Sequence, residues 1–109
     1  MRWLIARRSP ASPDVRSDAR FAVDDDVRVT EANDDGRVIL HTKTARLWIL
    51  NRAGAQIWDR LASGRTIDHI VEDLAAEHDR PAVNVRHDTI VFAEALVSAG
   101  LLHARRAPE

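Results

Sequence analysis

The chain has 109 residues, of which 45% are hydrophobic and 30% charged, with a formal net charge of −1 and no cysteine. This length and balance predict one soluble globular domain with a modest core. The lack of cysteine excludes disulfides, thiolate metal sites and a cysteine nucleophile. A net charge near zero gives no electrostatic reason to expect binding to nucleic acid or to an anionic membrane.

Residues 1–19 combine four arginines with two prolines and show no hydrophobic periodicity. This predicts a flexible N-terminal arm, while a basic arm for an acidic partner is the alternative interpretation. Its uncharged apolar run, Trp3–Ala6, is too short for a signal peptide. Nowhere does an apolar run approach the ~20 residues that span a bilayer. We therefore expect a cytoplasmic protein.

Three short stretches after the arm predict β-strands, at 27–30, 37–41 and 46–50. Between the first two lies Asp35-Gly36, a pair that suits the positive φ angles of a tight hairpin turn. Thr42, Lys43 and Thr44 turn the chain into the third stretch. Strands joined by such short turns pair antiparallel, so the three are expected to form a meander.

The third stretch, Arg46–Leu50, is mostly apolar on both faces. Side chains alternate along a strand, which separates Leu47 and Ile49 from Arg46, Trp48 and Leu50. One face should be covered by the helices of the protein, and the sequence leaves open which. The strand would then have a second face and a backbone edge without cover.

After Asn51 the hydrophobic period changes from 2 to 3.6, which predicts helices. Asn51 is a suitable N-cap for a first helix, which ends at Ser63-Gly64. Thr66 caps a second, amphipathic helix that is broken at Arg80-Pro81.

A third helix is predicted from about Asn84 to Ala99 and ends at Gly100, with Leu101-Leu102 as a C-terminal anchor. It is apolar around most of its circumference. Its core face carries Val85, Thr89, Phe92, Leu96 and Ala99, one flank carries Val91 and Ala95, and the other Ile90 and Val97. Either the domain covers both flanks, or one flank is the wall of a groove.

Three strands followed by three helices predict an α+β domain resembling a winged helix-turn-helix, with a three-stranded antiparallel sheet. We place this domain at residues 20–103. Residues 1–19 form the arm, and residues 104–109 are expected to be a frayed tail.

Catalysis and metal binding find no support in the sequence. The five histidines are scattered, with no pair at i, i+4 and no zinc motif. There is no glycine-rich phosphate loop and no nucleophile elbow. We expect no enzyme activity, no metal site and no cofactor.

DNA binding is the usual function of a winged helix, and it depends on cations that reach bases and phosphates. The third helix offers Arg86 and His87 against Asp88 and Glu94, so it is nearly neutral. DNA binding and a general protein-interaction module remain the alternatives. The exposed edge of the meander favours peptide recognition, in which an incoming strand pairs with the edge.

The motifs with the most information occur in a fixed order along the chain: Asp35-Gly36-x-Val38-x-Leu40, then Leu47-Trp48-x-Leu50-Asn51-x-x-Gly54-Ala55-x-Ile57-Trp58, then Asp88-x-x-x-Phe92-x-x-x-Leu96. In this order and spacing the chain resembles the PqqD-like family, the small peptide chaperones also called RiPP recognition elements. The resemblance implies a three-stranded sheet on three helices. It also implies that the leader segment of a ribosomally made precursor peptide pairs with strand 46–50 against the third helix.

By the same resemblance the protein has no catalytic residues and delivers the precursor to a modifying enzyme or leader protease. The Trp-x-Leu-Asn-x-x-Gly-Ala form is most similar to stand-alone members in lasso-peptide pathways, whose partners are a leader peptidase and an ATP-dependent cyclase. Two positions depart from the family pattern. Ala45 replaces the usual glycine after the turn threonine, and Ala93 replaces a frequent leucine.

The expected peptide-binding residues come from the strand and from the third helix: Arg46, Leu47, Trp48, Ile49, Leu50, Asp88, Val91, Phe92 and Ala95. Asp88 is either a partner for a polar or cationic leader group or a surface or capping residue. Phe92 fits the core better than a contact, and Arg46 either pairs with an acidic leader residue or is solvated. The expected partners are the leader and a leader peptidase or other modifying enzyme, without nucleic acid or membrane. The uncovered backbone edge expected for strand 46–50 also permits a homodimer.

Overall fold

The computed structural model describes residues 18–105. Its elements are β1 (Arg20–Val23), β2 (Val27–Glu31), β3 (Arg37–His41), β4 (Arg46–Leu50), α1 (Arg52–Ala62), α2 (Ile67–His78), α3 (Ala82–Ser98) and β5 (Leu102–Arg105). Strands β2, β3 and β4 form an antiparallel sheet in that order. The fold class expected from the sequence, a three-stranded meander followed by three helices, is confirmed. Most of the predicted N-terminal arm lies outside the described residues.

A second, two-stranded sheet was missing from the prediction. Strand β1 pairs antiparallel with β5, with Val23 opposite Leu102 and Arg20 opposite Arg105. Ala104 and Arg105, which we assigned to the tail, therefore belong to a strand. Each strand has four residues and its partner lies about eighty residues away, so no local pattern indicates the pairing. The anchor formed by Leu101 and Leu102 is confirmed, because both side chains are completely buried.

The turn between β2 and β3 forms where predicted, although with different backbone angles. Asp34 and Asp35 adopt the left-handed conformation, with φ of 59° and 61°, in a single 3-10 turn. Gly36 is extended instead. Its lack of a side chain serves packing, because a Cβ atom there would overlap the carbonyl oxygen of Leu50 at the end of β4. This glycine allows a close backbone approach, a common use of the residue.

The turn between β3 and β4 has a left-handed backbone conformation at Ala45, one that glycine adopts most readily. Its φ is +58°, and its N–H donates to the carbonyl oxygen of His41 over 2.8 Å. Ala45, which departs from the family pattern, therefore occupies a left-handed backbone position that favours glycine. The left-handed conformation costs a residue with a Cβ atom about 1–2 kcal/mol.

We expect Ala45→Gly to raise the free energy of unfolding by up to about 1 kcal/mol, because the relief of backbone strain exceeds the added entropy of the unfolded chain. Thermal denaturation should show a Tm roughly 5 °C higher. In Ala76→Gly, an exposed position within α2, the same chemical change should lower stability by about 1 kcal/mol. Equal losses in both variants would contradict a strained Ala45.

The predicted helix caps are confirmed. The side chain of Asn51 accepts from the N–H of Gly54 over 2.9 Å, and that of Thr66 accepts from the N–H of His69 over 3.1 Å. Helix α3 begins at Ala82, two residues earlier than expected, directly after Pro81 with φ of −57°. Proline has no N–H to leave unsatisfied at a helix start, and its fixed φ suits the first turn.

The two sheets meet at the carboxylate of Asp24, in the loop between β1 and β2. His103 Nε2 on β5 lies 2.5 Å from one carboxylate oxygen, and His41 Nε2 on β3 lies 3.7 Å from the other. The backbone N–H of Asp26 also donates to this carboxylate. The hydrogen bond with His103, followed by that from Asp26, lowers the pKa of Asp24.

Because the pKa of Asp24 is lower in the folded protein than the ordinary value of 3.8, its contribution to stability is present above pH 3.8 and disappears as the pH falls through the lowered pKa. We expect Asp24→Asn to be less stable at pH 6 and to lose less on acidification to pH 2. Urea titrations at both pH values measure this, with Asp25→Asn in the same loop as the control. An equal acid dependence in both variants would contradict the assignment.

Candidate functional site

Strand β4 turns Trp48 and Leu50 toward the helices, where both are buried. Leu47 and Ile49 point to the opposite face, with 62% and 50% of their surfaces exposed. This decides which face of the strand meets the core. Two apolar side chains exposed side by side at the edge of a sheet are unusual, because natural edges tend to carry charges or to be covered.

The backbone of β4 follows the same alternation. The N–H of Thr42, next to the end of β3, donates to the carbonyl of Asp26 beside β2. In an antiparallel sheet a residue directs both backbone groups to one neighbour, and the next residue directs them to the other. Thr42 thus directs its backbone groups toward β2, and three residues earlier Ile39 directs them toward β4. Ile39 and its partner Trp48 therefore bond to each other.

It follows that Leu47 and Ile49 direct their N–H and C=O groups away from β3. Within residues 18–105 no strand pairs with β4 on that side. We call this side of Arg46–Leu50 the free edge. At Leu47 and Ile49 the backbone groups and the side chain are therefore both available to a partner.

The exposed pair continues onto β3. Leu47 lies opposite Leu40 and Ile49 opposite Val38, and both β3 side chains are half-buried. These two cross-strand pairs form an apolar outer face beside the free edge.

Helix α3 has one covered and one open flank. Its core face, with Val85, Thr89, Phe92 and Leu96, is buried. Ile90 and Val97 pack against the core cluster, so the domain covers that flank. Val91 is exposed and Ala95 half-buried; these two residues form the open flank of the helix.

A cleft of about 480 Å³ lies where α1, α2 and α3 meet. It is lined by Arg52, Ala53, Gln56, Ile57, Leu74, His78, Arg80, Val85, Asp88 and Thr89. Apolar side chains such as Ile57, Leu74 and Val85 form its buried floor. The charged lining residues are more exposed, and Arg80 Nη2 lies 3.3 Å from a carboxylate oxygen of Asp88.

The cleft lies at the end of the free edge. Leu50 ends β4 and Asn51 caps α1, so Arg52 and Ala53 in the cleft wall follow the strand directly. Helix α1 contacts both β4 and α3. Asp88 lines the cleft from α3 and shares a helix face with Val91 and Ala95 at spacings i, i+3 and i+7. The open flank of α3 is therefore on the side that carries Asp88.

The nine candidate residues fall into three groups. Leu47, Ile49 and Arg46 are exposed along β4, whereas Trp48, Leu50 and Phe92 are buried in the core. Asp88, Val91 and Ala95 lie on one face of α3. We did not expect Arg52, Ala53 or Arg80 near the site. The position of Arg52 directly after the strand could have indicated that it lies near the site. No sequence signal indicates this for Arg80, because its position depends on how α2 and α3 pack.

Among residues 18–105 no group of three or more histidine or acidic side chains is arranged to hold a metal ion. In the same range no helix has both the length and the apolar character to cross a membrane. The groups that the site offers are backbone donors and acceptors at an edge, apolar side chains, and a cleft with charged walls.

Comparison with known proteins identifies the family and the fold. The family model described as coenzyme PQQ synthesis protein D (PqqD) matches residues 36–102, more than half of the chain. No protein with a curated description is significantly similar in sequence.

Two solved structures share the fold. One shows TbiB1 in complex with the TbiA(beta) leader peptide, with 28% sequence identity, a TM-score of 0.71, and coverage of 79% of this chain and 99% of that one. The other shows a lasso peptide synthetase B1 complexed with the leader peptide, at 21% identity and a TM-score of 0.72, covering 78% and 99%. The second likeness concerns the fold alone.

Proposed function

The chain belongs to the PqqD family, and from this we propose that it binds the leader segment of a ribosomally synthesised precursor peptide in lasso-peptide biosynthesis. The observation that carries the proposal is the free edge of β4. At Leu47 and Ile49 the backbone groups and the apolar side chains are both uncovered. A leader bound in a relative of 28% identity adds support.

The leader would bind as a fourth strand beside β4. Its backbone would exchange hydrogen bonds with Leu47 and Ile49, which gives affinity that depends little on sequence. Leader residues opposite these two would place their side chains on the outer face. The residue between them, opposite Trp48, would point inward, toward the side of the sheet that carries the helices. Alternate leader positions would thus meet two different environments.

The other candidates take roles that fit their exposure. Val91 and Ala95 would offer an apolar wall for inward-pointing leader side chains, and Asp88 would stand where this wall joins the cleft. Arg46, exposed at the start of β4, would meet an acidic leader residue. Trp48, Leu50 and Phe92 would support the site from within the core and make little direct contact.

We assign the protein a binding role without catalysis of its own. It would present the precursor to a leader peptidase or other modifying enzyme, which the family resemblance supports. Strand addition suits such a role, because it holds a flexible peptide by its backbone and leaves the segment beyond the site free for the enzyme.

DNA binding, the alternative, has little support on α3. The arginine of this helix, Arg86, is paired with Asp68 at 2.7 Å. Each phosphate contact requires an available cation, and the open flank offers valine and alanine instead.

Titration with the leader of the precursor encoded beside the gene tests the proposal, using isothermal calorimetry on the full chain at concentrations where it is monomeric by light scattering. We expect saturable 1:1 binding. Failure to bind any neighbouring leader, together with salt-dependent binding of a random DNA duplex, would favour the alternative.

A series of leaders, each N-methylated at one residue, tests strand addition itself. N-methylation removes one backbone donor. Because only alternate peptide residues would bond to the free edge, affinity should fall at every second position in the paired segment. A uniform response along the segment would contradict strand addition even if the leader binds.

A further inference from the structure

We propose that the cleft at the end of the free edge selects leaders with an acidic residue on the N-terminal side of the paired segment. This inference rests on the proposed function, because it concerns a second part of the same peptide site. It assigns a specificity role to Arg80 and Arg52, two residues outside the strand and outside the open flank of α3.

The direction of the leader follows from the sheet. All neighbouring strands in the sheet of β2, β3 and β4 are antiparallel, and an added antiparallel strand continues this pattern. Its N-terminal end then lies at the C-terminal end of β4, beside Leu50. A leader that extends past Leu50 would next contact Arg52 and Ala53, which line the cleft. The leader residues that reach the cleft are therefore those that precede the paired segment.

The charges of the cleft wall favour an anion. The lining contains two arginines, one histidine and one aspartate, which gives +1 with a neutral histidine. The first turn of α1 adds the positive end of its helix dipole, because Ala53 in the wall is the second residue of the helix. The apolar floor lowers the local dielectric below that of bulk water and strengthens these interactions.

The ion pairs that Arg52 and Arg80 form within the protein are weak enough for a leader carboxylate to compete. Arg52 lies 3.4 Å from Asp35, but both side chains are largely exposed and this pair is screened by solvent. Arg80 and Asp88 are 3.3 Å apart at their closest, longer than a good charge-assisted hydrogen bond of about 2.7–2.9 Å. A leader carboxylate would join Arg80 in the cleft, whereas a leader cation would meet Asp88 only beside two arginines.

The test compares three synthetic leaders: the natural one, one with the acidic residues before the paired segment changed to their amides, and one with lysine there. We expect the amide form to bind roughly three- to tenfold more weakly and the lysine form more weakly still. In Arg80→Glu the order should reverse, with the lysine form preferred. The measured quantity is the ratio of affinities within one protein preparation, so partial misfolding does not affect it.

Arg86→Glu is the matched control. Arg86, on α3, also pairs with an aspartate, Asp68 in the first turn of α2. It does not line the cleft, so the wild-type order of the three leaders should persist. If wild type binds the natural leader and the order is the same in Arg80→Glu, the charge selection is refuted while leader binding stands. A natural leader without an acidic residue before the paired segment would also overturn the inference. If no leader binds wild type, the proposed function itself fails.

Discussion

Ile49→Pro is expected to weaken leader binding by about 100-fold and to leave the protein folded. The N–H of Ile49 points to the free edge, so its loss removes a donor for the leader and no bond within the sheet. Proline is tolerated in edge strands when the missing N–H would face solvent. Its ring also prevents the close approach of an added strand. One leader carbonyl would then stay unsatisfied, at a cost of about 1–3 kcal/mol.

Trp48→Pro is the contrasting control, one residue earlier on the same strand. Its N–H points to β3, so proline would remove a bond within the sheet as well as a buried tryptophan. We expect this variant to misfold, as shown by loss of cooperative urea unfolding. Calorimetry with the leader and circular dichroism on both variants give the result. A folded Ile49→Pro that binds normally would refute strand addition at β4, and a misfolded one would refute the assigned alternation.

The sequence was sufficient where a local pattern has a direct physical consequence. Asn51 and Thr66 predicted helix starts because their side chains satisfy backbone donors within three residues. The alternation along Arg46–Leu50 correctly separated two faces. It did not show which face meets the core, because both are apolar and the choice depends on packing against helices distant in sequence.

Other features needed the tertiary structure. Helical periodicity placed Phe92 on the core face and Val91 on a flank, but only the packing of α3 shows that the flank of Val91 stays open while that of Ile90 is covered. The cleft combines Arg52 with Arg80, and the β1–β5 sheet combines strands from both ends of the domain. Contacts over such sequence distances leave no periodic signal. Hydrophobic periodicity indicates which face of a helix or strand is buried, but not which other element packs against that face.

The two neighbours on α3 should separate stability from binding. Phe92 is completely buried, so Phe92→Ala should lower the free energy of unfolding by about 3–5 kcal/mol through lost burial and the cavity left behind. A domain of this size has only about 5–15 kcal/mol in total, so the variant should be close to unfolding at 37 °C. Urea denaturation at 10 °C, where a marginal fold persists, gives the value.

Val91→Ala removes two methyl groups from an exposed side chain in the same turn of α3 as Phe92. Its stability should change by less than about 0.5 kcal/mol, as is usual for surface positions. Leader affinity should nevertheless fall roughly threefold to tenfold if the open flank is the wall that inward-pointing leader side chains contact. Val83→Ala, also exposed on α3 and outside the face of Asp88, is the matched control and should bind normally. Normal affinity in Val91→Ala would leave the free edge as the site but would remove the open flank from it.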